Sequence, residues 1–175
     1  MSAGWSWKRV ADAGGAGAVA GALATVAMTA VMFAARRAGL MGEMPPEKIT
    51  AHALDKFGVQ RHPAVQDTLA SALHVAFGAG AGALFGVVEE RLEPAVPGIL
   101  AGLGYGTAIW AVSYAGWVPA VGIMAMPDDD RPGRPQSMLV AHWVFGVALV
   151  LILHRLRTGK ERRRARRRLW RLPGT

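Results

Sequence analysis

Long uncharged stretches alternate with short polar ones along this chain, and the uncharged stretches dictate the fold. Gly14–Ala35 runs 22 residues without a charge, and Thr68–Val88 runs 21 between Asp67 and Glu89. Pro94–Pro127 is uncharged for 34 residues, and the helix expected inside it is Gly98–Val118, between Pro97 and Pro119. Gln136–Leu153 adds 18 before His154 and Arg155. A hydrocarbon core about 30 Å thick needs roughly 20 apolar residues in a helix. Lipid offers the backbone no hydrogen bonds, so only helices or closed barrels cross it. None of these stretches alternates in the manner of barrel strands. The pattern predicts an all-α, four-transmembrane-helix bundle with spans at 14–35, 68–88, 98–118 and 136–153. A tail at 1–13 and a basic tail at 154–175 flank it.

Two rivals stand beside that expectation. In one, only three spans cross, and the glycine-rich Thr68–Val88 lies re-entrant or interfacial. In the other, the first segment is a cleaved signal peptide, since Lys8 and Arg9 precede it. Its apolar run exceeds the usual 7–15 residues, so an uncleaved anchor fits better.

The polar stretches carry smaller elements. In the first loop, Pro46 suits the first turn of a helix and Glu47 suits its dipole. Ile49, Ala53 and Phe57 fall on one face and Gly58 ends the run, which predicts a short amphipathic helix on the outer surface. The second loop holds Asp128, Asp129 and Asp130 among prolines and glycine. Such a turn could hold a cation through oxygen ligands; a solvated turn is the plainer reading.

Composition adds orientation. Apolar residues make up 52% of the chain, yet mean hydropathy is only +0.25 because the charged parts dilute the apolar ones. Lys and Arg outnumber Asp and Glu by 20 to 12, and ten of the basic residues follow Leu153. With four spans, thirteen basic residues fall on the side of the termini and seven on the other. Positive charge favours the cytoplasm, so both termini are expected there. The chain has no Cys, which removes disulfides, thiolate metal sites and Cys nucleophiles. Two Arg triplets, Arg162, Arg163, Arg164 and Arg166, Arg167, Arg168, lead to Trp170. Such a cluster attracts anionic lipid, and Trp suits the headgroup layer. The expected partners are therefore the bilayer and anionic lipids at the tail. No folded nucleic-acid module accompanies the tail, so nucleic acid is not expected.

Glycines recur at intervals of four: Gly17 and Gly21; Gly78, Gly82 and Gly86; Gly98, Gly102 and Gly106. That spacing lets helix backbones approach closely, within one chain or between copies of a homo-oligomer. His74, Phe77 and Gly78 recur as His142, Phe145 and Gly146, and Gly17 and Gly21 set against Gly98 and Gly102. This reads as two tandem helical hairpins in one orientation, related by an axis along the membrane normal.

His74 and His142 are the only ionisable residues well inside the expected spans. Each lies six residues into its helix, about 9 Å below the boundary at 1.5 Å per residue. Ionisable groups at that depth are costly and are site candidates. Three readings compete. The pair can be structural, hydrogen-bonded through Thr29, Ser113 or Tyr114. It can relay protons. It can ligate a metal or haem between helices, with Gly78 and Gly146 leaving room for a flat ring. No zinc-protease, serine-triad or phosphate-loop pattern is present. No catalytic residue or metal site is assigned, and no cofactor is expected, haem being the alternative.

The AGALATVAMT run, PPEKIT, the His-x-x-Phe-Gly start of a glycine-rich helix and the late His-Trp helix resemble the YagU-like small bacterial inner-membrane proteins of unknown function. The resemblance covers about Gly14–Leu153 and implies a multi-pass place in the bacterial inner membrane. It carries over no catalytic residue. The leading expectation is a non-enzymatic, structural or accessory membrane protein. A link to envelope or pH-stress tolerance is suggested by the resemblance and the His pair. The alternatives are a small transporter or proton-conducting bundle, and a haem- or quinone-linked redox protein.

Overall fold

A computed structural model describes residues 6–59, 62–92 and 98–169, with side chains as far as residue 159 except that of residue 92. Among these residues there is no strand. Helix α1 spans Trp7–Arg37, α2 Pro45–Lys56, α3 Pro63–Leu92 and α4 Gly98–Val112. A π-helical turn, Ser113–Trp117, follows α4 directly and passes into a single turn, α5, Val118–Ala120. Helix α6, Arg134–Leu169, closes the chain with 36 residues.

Local chemistry sets the ends. Trp7–Arg37 contains no proline and many alanines, the best helix former, so α1 absorbs part of the expected N-terminal tail. Arg36 and Arg37 occupy its last turn, where cations suit the dipole. Gly39 then takes φ +78, a left-handed conformation that stops the helix. Prolines open α2 and Gly58, at φ +66, ends it. Glu47 Oε2 accepts the Met44 N–H at 3.0 Å, and its Oε1 pairs with Arg36 at 2.8 Å.

Among the described residues three helices are long and apolar enough to cross a membrane, not four: Trp7–Arg37, Pro63–Arg91 and Arg134–Gly159. The segment that falls short is the expected span Gly98–Val118. Its α4 has 15 residues, about 22 Å of helix, before the π turn interrupts it. Thr68–Val88, the segment with the re-entrant rival, lies instead inside an unbroken 30-residue helix.

The bundle has two ends. At one, Arg134 Nε donates to the Met41 carbonyl at 2.7 Å, joining the start of α6 to the α1–α2 loop. At the other, Arg157 pairs with Glu89 at 2.7 Å, joining the late part of α6 to the end of α3. We call these the α2 end and the tail end. Helix α1 packs against α3 and α6, and α4 packs against α6. Going along α4, Gly98 faces Val150, Gly102 faces Gly146 and Gly106 faces His142. Helices α4 and α6 are therefore antiparallel, and α4 carries the chain back toward the α2 end.

The core is made of small and flexible residues. Ala20, Ala24, Met28 and Met32 of α1 meet Met138, Ala141, Phe145 and Leu149 of α6. Large apolar residues face outward on every long helix, among them Leu23, Phe33, Leu84, Leu100 and Leu151. Water penalises such a surface; lipid does not. The fold is thus compatible with a membrane protein.

The amphipathic helix is present as α2, with a different buried face. Pro45, Thr50 and Ala51 turn inward, while Phe57 is 80% exposed. Of the expected face, Ile49 does pack against the core, while Phe57, at the end of α2, is exposed because the packing of α2 on α3 turns Thr50 and Ala51 inward.

Candidate functional site

Helices α3 and α4 pack chiefly on other partners. They meet where the Tyr105 hydroxyl donates to the Ala81 carbonyl at 2.6 Å and where Phe85 and Tyr105 rings lie 4.9 Å apart. Toward the α2 end they leave a cavity of about 290 Å³. Met28 and Met32 of α1 form its back, and Pro45, Ile49 and Thr50 of α2 its roof. Leu73 and Phe77 of α3 and Trp117 of the π turn line it and are 40–51% exposed. They mark its mouth on the outward surface between α3 and α4.

His74 and His142 both line this cavity. They sit on different helices, 68 positions apart in sequence. His142 is 4% exposed, and its Nδ1 lies 2.7 Å from the Met138 carbonyl one turn back. His74 is half-buried, and its Nδ1 lies 3.4 Å from the Thr29 hydroxyl. Of the supporting groups expected from sequence, Thr29 therefore reaches a histidine. Ser113 and Tyr114 line the same cavity but use their hydroxyls elsewhere. Ser113 donates to the Ile109 carbonyl at 2.6 Å, and Tyr114 donates to Asp130.

The π turn supplies Ser113, Tyr114 and Trp117 to the lining. A π turn inside an α-helix is rare and frequently marks a functional site. Here it widens the helix where the cavity needs wall on one side and Tyr114 must reach the loop on the other.

On sequence grounds Asp130 belongs with Asp128 and Asp129 to a solvated turn or cation site. The structure corrects this for Asp130. Its Oδ1 pairs with Arg134 at 2.7 Å, the two side chains being 5% and 9% exposed, and its Oδ2 accepts from Tyr114. With both oxygens engaged and Arg134 bridging on to Met41, the carboxylate is a structural counter-ion. Among the described residues no group of three His, Cys, Asp or Glu could hold a metal. Asp130 lies in the loop before α6 and Arg134 in its first turn, so no helical periodicity marked this pair in the sequence.

The glycines report how closely the helices approach. A Cβ built on Gly17 would meet the Gly82 carbonyl, and one on Gly21 the Gly78 carbonyl. Gly86 would meet the Ala13 carbonyl, Gly102 the Gly146 carbonyl and Gly106 the His142 carbonyl. Gly98 faces only the Val150 side chain. The room that Gly78 and Gly146 were expected to leave is filled: Gly146 is taken up by α4 backbone, and Gly78 by Thr25 and Gly21. Arg162, Arg163, Arg164, Arg166, Arg167 and Arg168 lie in the helical extension of α6, and their side chains are outside the described residues; Trp170 lies outside them altogether.

The sequence profile of a family of unknown function, DUF6789, matches residues 11–164. The chain belongs to that family. The match takes in most of α1, all of α2 to α5 and most of α6, so the cavity, its histidines and the π turn all fall within the DUF6789 region. No curated protein and no solved structure matches the chain. The YagU-like resemblance finds no support in these comparisons.

Proposed function

We propose that this protein crosses the membrane four times and holds a small, largely apolar guest molecule in the half of the bundle next to α2. One observation carries the reading: His74 and His142, on separate helices, line a single cavity of about 290 Å³ whose other walls are mostly apolar. Pockets that are apolar with a few convergent polar groups are the usual form of a small-molecule site. The exposed Leu73, Phe77 and Trp117 at its mouth give a guest a way in from lipid.

Binding is better supported than conduction or catalysis. Between the cavity and the tail end the interior is filled by Phe85, Tyr105, Leu149 and Leu153, which favours a closed pocket over a path across the membrane. Ser113 and Tyr114 have given their protons to other acceptors, and neither is paired with a base in the cavity. The protein is therefore read as a non-enzymatic, accessory membrane component.

A fourth crossing is supported by the path of the chain. The run Gly98–Ala120 is helical without a break through the π turn and carries no charge. Its 23 residues amount to about 34 Å, and it lies antiparallel to α6. The tandem-hairpin reading is supported by matching contacts, Gly21 on Gly78 and Gly102 on Gly146. Cytoplasmic termini in a bacterial inner membrane rest on the positive-charge balance and the resemblance, and a tail resting on anionic lipid rests on its Arg triplets.

The test is binding of a fluorinated alkylbenzene to the full chain in lipid nanodiscs, followed by fluorine NMR. A bound signal is expected beyond that of protein-free nanodiscs. It should vanish in Ala70→Phe, because Ala70 lines the cavity and is 3% exposed. A signal identical to that of empty nanodiscs, or one untouched by Ala70→Phe, would overturn the reading.

A further inference from the structure

We infer that the two cavity histidines are held as opposite tautomers and together recognise one hydroxyl group on an otherwise apolar guest. The inference rests on the guest-binding reading above and names the chemistry of that guest.

The His142 ring is fixed by its neighbour. Nδ1 lies 2.7 Å from the Met138 carbonyl. A carbonyl oxygen only accepts, so Nδ1 carries the hydrogen and donates it. In the neutral ring, Nε2 is then a bare lone pair. It has no hydrogen-bond partner among the described residues, and the ring lines the cavity. His142 thus offers the guest an acceptor.

The His74 ring is fixed the other way, by Thr29. Threonine hydroxyls in helices commonly donate to the carbonyl four residues back. Thr25, Thr68, Thr107 and Thr158 all do so here, to Gly21, Ala64, Leu103 and His154. Thr29 departs from that habit, and its one hydrogen-bond neighbour is His74 Nδ1 at 3.4 Å. If Nδ1 donated, the hydroxyl proton would be left unsatisfied in an apolar interior, which is costly. With Thr29 donating, Nδ1 accepts and the hydrogen of the neutral ring sits on Nε2. His74 thus offers the guest a donor.

A donor and an acceptor facing one cavity match a hydroxyl, which is both. An ether or ketone can satisfy His74 but leaves His142 bare, and a hydrocarbon satisfies neither. The guest class is an apolar molecule carrying a hydroxyl, such as an alkylphenol or a long-chain alcohol. The apolar walls take the body, and the mouth between α3 and α4 admits it from lipid.

Two measurements on the full chain in nanodiscs test this. Nitrogen NMR of histidine-labelled protein, assigned with His74→Gln and His142→Gln, should find the bare nitrogen at Nε2 in His142 and at Nδ1 in His74. The same tautomer in both rings overturns the inference. In the second, fluorinated para-propylphenol, para-propylanisole and propylbenzene are compared as probes. The phenol should bind roughly tenfold tighter than the other two, given two modest hydrogen bonds in a membrane setting. Thr29→Val, which frees the His74 ring, should reduce that preference. Equal binding of all three probes overturns the hydroxyl inference and leaves the cavity reading standing. Binding of none of them overturns both.

Discussion

A Cβ at Gly21 would meet the Gly78 carbonyl and the Gly82 Cα, whereas a Cβ at Gly80 would meet nothing within 4 Å. The same substitution therefore has opposite expected signs. Glycine to alanine in an open helical position gains about 0.5–1 kcal/mol. At Gly21 the obstacle is backbone, which cannot rotate aside, so α1 and α3 must separate; overpacking of this kind costs about 1–3 kcal/mol. Gly21→Ala should lower the melting temperature of the detergent-solubilised protein, followed by circular dichroism, and Gly80→Ala should hold or raise it. Equal shifts would mean that the helices do not approach in this way. The Asp130–Arg134 pair is a second residue-scale case. Both side chains are under a tenth exposed, and Tyr114 depends on the same carboxylate. Removing one member of a buried pair strands the other charge, at about 3–5 kcal/mol. Asp130→Leu should therefore melt earlier than the double variant Asp130→Leu with Arg134→Met, in which no charge is stranded. A double variant no better than the single would show that the charge is not buried.

The π turn and α2 are the elements that shape the cavity. A π turn holds one residue more than the α-helical turn it replaces. Deleting Ala115 should restore a regular helix with the residues beyond it nearly in register, which removes the bulge that carries Ser113 and Trp117 onto the cavity wall. The variant should still insert and extract with normal yield, but the bound alkylbenzene signal in fluorine NMR should be lost; its survival would deny the turn a role in the site. In α2, Glu47 caps the helix start and pairs with Arg36. Glu47→Ala should speed amide hydrogen exchange across Pro45–Lys56, as expected when a cap worth about 0.5–2 kcal/mol is lost, with α3 unaffected. The long helices were legible in the sequence because eighteen or more uncharged residues mark a helix whatever surrounds it. The π turn was not, since Ser113–Trp117 is as apolar as its flanks and its hydrogen-bond pattern answers to packing. For α2, the prolines and Gly58 gave existence and ends, while the inward face of Thr50 and Ala51 depended on where α3 lies. The histidines stood out because nothing else ionisable shares their stretches. Thr29 was legible beside them, but the cavity was not, because a void is a property of the assembly.

At the scale of the whole molecule, the contacts support the proposed even number of crossings. The start of α6 and the α1–α2 loop meet at one end through Arg134 and Met41. The end of α3 and the late part of α6 meet at the other through Glu89 and Arg157. The chain leaves α3 at the tail end and enters α6 at the α2 end, so α4, the π turn and α5 must cover the distance between them. Alone, α4 is too short to cross; with the π turn and α5 it is long enough, which makes the fourth crossing a question about one interrupted helix. The chain has no Cys, so single cysteines report without background. With a membrane-impermeant maleimide on intact bacterial cells, Asp129→Cys should label, and Glu93→Cys and Gly174→Cys should label only after permeabilisation. That expected direction follows the proposed cytoplasmic termini, which rest on a 13 to 7 excess of basic residues on their side. The reverse pattern at all three positions would invert the protein and leave four crossings intact. Glu93→Cys and Asp129→Cys reporting the same side would mean that the interrupted helix turns back within the membrane. In that case the cavity would open onto an interfacial loop, and the route from lipid between α3 and α4 would be lost.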